Sequence, residues 1–200
     1  MASVGLILLA AGSSTRLGEP KQNLMYEGQP LLQRAIQTAL ASSCEPVLVI
    51  LGANAEAFQA GLNDLPVQTV FNPDWQEGMA SSIRQGILTL NEISPDLDGA
   101  IIMVCDQPFV TTTLLNQLVE EKKMHDHGII ACTYQDTLGT PALFDKQFFP
   151  ELLALQGLEG AKKLLFQHAA VVTSLDFPLG TFDIDTPQDY QNLQQHRGEE

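Results

Sequence analysis

Short apolar runs recur along this chain, with helical patterns between the early ones, and that alternation restricts the fold more than any other feature. The runs cover residues 4–9, 47–51, 67–71, 100–104, 129–132 and 170–175. They are apolar on successive residues, as strands covered on both faces must be. Leu31, Leu32, Ala35, Ile36, Ala39 and Leu40 repeat at helical spacing, as do Met79, Ile83, Ile87 and Leu90, and then Leu114, Leu115, Leu118 and Val119. Strand and helix alternate to about residue 124, which predicts a mostly parallel sheet in a three-layer α/β fold with right-handed crossovers. Beyond that point residues 133–144 read as an irregular or hairpin segment, and two short helices are expected near 148–155 and 160–166. A last helix starts at Thr186-Pro187, with an N-cap residue, a proline in the first turn and Asp189 three residues on. No repeat, low-complexity tract or linker divides the chain, so residues 1–200 read as one domain.

Ten basic against 24 acidic side chains give a net charge of −14, which argues against nucleic-acid and anionic-membrane partners. The balance is uneven, +1 over residues 1–34 and −5 over 176–200, so a local positive field remains available to a small anionic ligand. Cys44, Cys105 and Cys132 are odd in number, lie in apolar surroundings and lack CxxC spacing, which excludes a disulfide framework. The apolar start at residues 4–11 has no basic residue ahead of it, unlike a secretory leader, and no run approaches the roughly 20 residues of a membrane span. A cytoplasmic location is the expectation. His125, His127, His168 and His196 show no metal-ligand spacing.

The first loop carries the densest chemistry. After strand one the chain reads Leu9-Ala10-Ala11-Gly12-Ser13-Ser14-Thr15-Arg16-Leu17-Gly18-Glu19-Pro20-Lys21. In an open parallel sheet, ligands bind beyond the carboxyl ends of strands, where this loop lies. Its small residues let backbone N–H groups approach a phosphate, and Arg16 and Lys21 add two positive charges. The spacing is neither that of a P-loop nor GxGxxG or GxSxG, and a polar turn with two solvated cations is the plain alternative.

This loop resembles the LAxGxSxRxGxxK motif of the MobA-like NTP transferases, and Leu9-Ala10-Ala11-Gly12 is similar to its cytidylyltransferase form. Gly78-Met79-Ala80-Ser81-Ser82-Ile83 is similar to the GMxxSL segment of molybdenum cofactor cytidylyltransferases. Cys105-Asp106-Gln107-Pro108 resembles xDQP, Gly139-Thr140-Pro141-Ala142-Leu143-Phe144 resembles GxPxxF, and Phe182-Asp183-Ile184-Asp185-Thr186-Pro187 resembles the DIDTPED ending. Five motifs in order cover nearly the whole chain. The resemblance implies a nucleotide-diphospho-sugar transferase-like fold, with a nucleotide-binding half at about 1–110 and an acceptor-binding half at about 111–200.

It also implies roles. Arg16, Lys21 and Asp106 would be catalytic; Leu9, Ala10, Ala11, Gly12, Ser13, Arg16, Lys21, Gly78, Ser82 and Asp106 would bind the nucleotide; Asp106 and Asp183 would hold Mg²⁺. Asp106 follows an apolar strand and so faces the crevice of the first loop, and Mg²⁺ at nucleotide sites takes one or two carboxylates plus phosphates. Asp183 and Asp185 alternate around Ile184 in a segment expected to be extended, so only one should meet Asp106, with Asp185 free to cap the following helix. Asp176 and Asp189 read as surface residues. Ser81 and Ser82 either cap the helix behind them or read a pyrimidine edge together with the Ala10-Ala11 backbone. Arg84 can contact phosphate or lie on an exposed face, and Trp75 reads as a packing anchor near the base. On the acceptor side, Gly157-Leu158-Glu159-Gly160-Ala161-Lys162 departs from the family's GDxGAR, and Thr140 stands where some members have His or Asn.

The expected reaction is CMP transfer from CTP to a phosphorylated pterin-type acceptor, the molybdenum cofactor, with release of pyrophosphate and transient contact with a molybdoenzyme. Competing readings are a transferase of the same fold with another nucleotide or a sugar or alditol phosphate acceptor, and a non-catalytic cofactor chaperone.

Overall fold

The computed structural model describes residues 2–124 and 128–196. The chain runs through β1 (Val4–Ala10), a small hairpin of β2 (Met25–Tyr26) and β3 (Gln29–Pro30), α1 (Leu31–Leu40), β4 (Val47–Leu51), α2 (Ala55–Leu62) and β5 (Gln68–Phe71). It continues through α3 (Met79–Ile93), β6 (Gly99–Val104), α4 (Thr112–Met124), β7 (Ile129–Tyr134) and β8 (Thr137–Asp145), then α5 (Phe149–Leu153), α6 (Lys162–Gln167), β9 (Val172–Asp176) and α7 (Pro187–His196). Seven strands form one sheet in the order β5-β4-β1-β6-β8-β7-β9. β8 runs antiparallel to both its neighbours, and every other pairing in this sheet is parallel.

Central strands such as β1 and β4 are buried along their whole length, which is why they read as unbroken apolar runs. Leu6, Leu8 and Ala10 pack with Ile36 of α1, Phe58 of α2 and Leu115 of α4. Ile7 and Leu9 face the other way, onto Ile83 of α3, Leu152 of α5 and Leu165 of α6. The result is the three-layer αβα arrangement that the alternation predicts. A third cluster of Leu24, Tyr26, Leu31, Ile184 and Leu193 seats α7 and the acidic segment before it on the β2–β3 hairpin.

Two details, α2 and residues 182–186, depart from the sequence expectation, and the segment left open as irregular or hairpin is a hairpin. Helix α2 buries only Phe58 and Leu62, too thin a stripe to register as periodicity. Residues 133–144 resolve into a hairpin whose two turn residues, Gln135 and Asp136, have φ of 49° and 58°, the geometry that two-residue hairpin loops require. Residues 182–186 are not a strand, because Ile184 turns into the third cluster instead of pairing with the sheet. Among the described residues no helix is long and apolar enough to cross a membrane.

The strand order sets the position of the cleft. From β1 the chain builds outward through β4 and β5, then α3 carries it back to β6 on the opposite flank of β1. The connections leaving β1 and β6 therefore diverge and open a crevice at their carboxyl ends, where open α/β sheets bind ligands.

Candidate active site

Leu9 and Val104 are register partners at the ends of β1 and β6, so the loops that follow start side by side. Lys21 crosses this gap, and its ammonium pairs with the Asp106 carboxylate. The acidic segment arrives from above, anchored by a backbone bond of 3.1 Å in which Ile184 N–H donates to the Asp106 carbonyl. Ile184 itself is buried. With no strand pleat to send them apart, Asp183 and Asp185 both face the cleft alongside Asp106, which corrects the expectation that only one could do so. Asp185 Oδ1 lies 3.2 Å from Lys21 Nζ, and its Oδ2 accepts from Arg16 at 2.9 Å.

Asp185 does not cap α7. Asp189 Oδ2 accepts from Thr186 N–H (2.8 Å), the Thr186 hydroxyl (2.7 Å) and Asp185 N–H (3.2 Å), while Thr186 Oγ1 accepts from Asp189 N–H at 3.2 Å. That is a reciprocal capping box, so Asp189 is a structural residue and not a plain surface one. It releases the Asp185 side chain to the cleft.

The electrostatics follow from this crowding. Burial works against the Lys21 charge, but Asp106 beside it, with Asp185 behind, holds the ammonium above the usual lysine range. Asp183 is reachable by solvent yet walled in. Partial desolvation, then the charges of Asp106 and Asp185, push its carboxyl up to about 6. Asp106 Oδ1 is buried and has no hydrogen-bond partner. An orphaned carboxylate oxygen next to a second carboxyl that resists ionisation is a donor set that a divalent cation would complete. Among the described residues no three His, Cys, Asp or Glu side chains could hold a metal by themselves. The pair therefore suits an ion that shares its shell with phosphate oxygens.

Two clefts meet at this point. The first, about 450 Å³, is lined by all ten residues assigned to the nucleotide: Leu9, Ala10, Ala11, Gly12, Ser13, Arg16, Lys21, Gly78, Ser82 and Asp106. The second, about 430 Å³, holds Tyr134, Gly139, Thr140, Gly160, Ala161 and Lys162 with Asp183 and Asp185. Leu9, Arg16, Lys21, Met79, Val104 and Asp106 belong to both. The second cleft draws its walls from β7, β8 and the segment before α6, whereas the first draws on the loops of β1 and β6 and the start of α3.

The GMASSI segment folds around Gly78, whose φ of 125° and contact with the Gly157 carbonyl leave no room for a side chain. Gly78 is the N-cap of α3 without a side-chain cap, so neither serine caps the helix. Instead the buried Asn72, which sequence reading missed, donates to Ser81 Oγ (2.8 Å) and Ser82 Oγ (3.0 Å). Ser82 faces the first cleft, and since it accepts from Asn72 its own proton is what it can offer there. Arg84 reaches neither cleft. Its guanidinium binds Glu77 (2.6 Å) and the Leu155 carbonyl (2.7 Å), clamping α3 to the segment that leads into the second cleft. Trp75 lines the first cleft and packs on Gly52, an anchor as expected. Thr140 donates to Gln107 Oε1 at 3.2 Å. His168 is bound to Glu151 at 2.7 Å and lies edge-on to Phe148, away from both clefts. His125, His127 and the His196 side chain lie outside the described residues.

Comparison with known proteins agrees with this architecture. The model of the MobA-like NTP transferase domain matches residues 6–171, and the chain belongs to that family. It is 31% identical over 199 residues to nicotine blue oxidoreductase of Paenarthrobacter nicotinovorans, covering 94% of this chain and 92% of the relative. It is 21% identical over 191 residues to molybdenum cofactor cytidylyltransferase of Escherichia coli, covering 95% of each. Among solved structures, Rv0371c from Mycobacterium tuberculosis H37Rv superimposes with a TM-score of 0.84 at 30% identity, over 98% of this chain and 99% of that one. A manganese complex of Rv0371c matches with a TM-score of 0.80 at 28% identity, over 97% and 99% of the two chains. The chain is a nucleotidyltransferase in fold and family.

Proposed function

We propose that this protein transfers CMP from CTP to a phosphorylated acceptor, a molybdopterin-type molybdenum cofactor, and releases pyrophosphate. The observation that carries this reading is the seat of Arg16, Lys21 and Asp106 on the seam between two clefts of similar size. A nucleotide in the first cleft and an acceptor in the second would bring the α-phosphorus to that seam. There an acceptor phosphate oxygen attacks phosphorus in line, a new O–P bond forms, and the bond to the bridging oxygen breaks as pyrophosphate departs. In this reading residues 1–110 form the nucleotide-binding half and residues 111–200 the acceptor-binding half, sharing both clefts: Leu158 reaches the first, and Leu9, Arg16, Lys21, Met79, Ile102, Val104 and Asp106 line the second.

The chain acts by position and charge. Lys21 exchanges its carboxylate partners for phosphate oxygens, and with Arg16 stabilises the charge that grows on the α-phosphate and on the leaving pyrophosphate. Asp106 and Asp183 would hold Mg²⁺, which when bound neutralises phosphate charge beyond the reach of these side chains. The manganese complex of the mycobacterial neighbour supports a divalent ion. Small residues at Ala10 and Ala11, with the Ser82 hydroxyl set by Asn72, suit the edge of a pyrimidine. The cytidylyltransferase relative supports this nucleotide and acceptor. A cytoplasmic location and transient contact with a molybdoenzyme that receives the product belong to the same reading.

The test is pyrophosphate release from CTP with Mg²⁺ and molybdenum cofactor, run beside GTP, beside a sugar phosphate in place of the cofactor and beside a reaction without acceptor, with cofactor binding followed by calorimetry. Release that needs both CTP and the cofactor is the expected result. Equal release with GTP or with a sugar phosphate would move the protein to another specificity of the family. Cofactor binding with no release from any nucleotide would make it a chaperone.

A further inference from the structure

Gln22 follows Lys21 in the short turn Lys21–Asn23 and is only 1% exposed. Its amide nitrogen spends both protons on the signature loop, one on the Ala10 carbonyl at 2.8 Å and one on the Gly12 carbonyl at 3.1 Å. Its amide oxygen is buried, next to the nucleotide cleft, and has no partner. A buried acceptor without a donor weakens a fold, and an apolar side chain of the same length would avoid that cost. What the amide contributes here is its two donations.

Those donations have a geometric consequence. In a planar trans peptide the C=O of one residue and the N–H of the next point in opposite directions. Drawing in the carbonyls of Ala10 and Gly12 therefore turns the N–H groups of Ala11 and Ser13 away from Gln22. The intervening Ala11 carbonyl is held separately, accepting from Ala53 N–H at 3.1 Å. Three successive carbonyls, from the last residue of β1 into the loop behind it, are thus each tied down, and the directions of the amides between them are set before any ligand arrives.

We infer that Gln22 is a positioning residue for the nucleotide, holding Ala10–Ser13 so that the Ala11 and Ser13 amides are aimed in advance at acceptor groups of the bound nucleotide. The inference rests on the transferase reading above. Gln22 touches no reacting atom; it acts through the loop.

The test uses Gln22→Met, which keeps side-chain length and removes both donations together with the orphaned oxygen, and Gln22→Glu, which sets a carboxylate against the two carbonyls. In ligand-free protein, hydrogen exchange of peptides spanning residues 9–14 should speed up in both variants. CTP binding by calorimetry should weaken about tenfold or more, the scale of a lost hydrogen bond or two. KM for the acceptor should stay unchanged, and the melting temperature of Gln22→Met should not fall. Unchanged exchange, unchanged CTP affinity, or an affinity loss only in proportion to lost folded protein would each overturn the role. Wild-type protein that binds neither CTP nor GTP would overturn the transferase reading and this role with it. Wild type that binds while Gln22→Met binds equally well would overturn the role alone.

Discussion

Lys21 is held by two carboxylates, and a triphosphate bound as proposed would displace both of them. Replacing it by Ala should lower turnover by about 10²–10³ at saturating CTP and Mg²⁺, by analogy with deleting one preorganised donor to a developing anion. Near-normal turnover would contradict its role. Asp183 leads to a second expectation, for metal-free protein. With its native pKa raised to about 6, ionising it costs stability. The native state binds the extra proton between the unfolded value near 3.8 and 6, so the penalty is absent at low pH, grows through that window and is complete above it. Asp183→Asn should therefore raise the melting temperature at pH 8 in EDTA and leave it nearly unchanged near pH 3.5, while weakening divalent-metal binding. A lower melting temperature at pH 8 would count against the crowding of carboxylates described here. The thiols of Cys105 and Cys132 are buried and pushed up to about 12, chiefly by desolvation. Neither should react with a thiol reagent at pH 8 until the protein is denatured.

Two side-chain clamps hold elements together, and they fail differently. Lys122 of α4 and Asp145 at the end of β8 form an ion pair at 2.6 Å with side chains 5% and 9% exposed. Lys122→Ala would take the counter-ion from a buried carboxylate that also accepts from Gln147 N–H, and should cost about 3–5 kcal/mol in urea unfolding, while the pair's replacement by apolar residues should cost far less. Arg84 belongs to function more than to the core. By tying α3 to Leu155 it holds the approach to the second cleft, the proposed acceptor site. Arg84→Met should raise KM for the acceptor about tenfold, the worth of one hydrogen bond to a charged group, with CTP affinity little changed. A change confined to CTP affinity would show that the clamp serves the other cleft. Element recognition from sequence was uneven for a related reason. β1, β4 and β6 lie between two helical layers, and burial on both faces writes itself into consecutive apolar residues. α2 has two buried residues and wrote almost nothing. β8 contains a proline and two threonines beside its apolar half, so the strand that separates β6 from β7 was legible only as part of a hairpin.

The whole molecule carries a net charge of −14, yet the cleft gathers Arg16 and Lys21 against Asp106, Asp183 and Asp185. A Mg²⁺–nucleotide complex supplies cation and phosphates together. CTP with Mg²⁺ at about a hundred times its dissociation constant should stabilise the fold by about 2.7 kcal/mol, and EDTA should abolish most of that gain in a thermal melt. The ten residues that the motifs singled out for the nucleotide are all among those lining the first cleft, because backbone approach, small side chains and paired cations are demands that local sequence has to meet. Asp185, Asn72 and Gln22 were not legible in the same way. Whether Asp185 faces the helix or the cleft depends on Asp189 taking over the cap and on Ile184 finding the hairpin. What Asn72 and Gln22 bind depends on which backbone and hydroxyl groups the folded chain brings near them. Apolar order and loop chemistry are short-range properties, written within a turn or a strand. The partner of a buried polar group is a long-range property, and it exists only once the layers have closed.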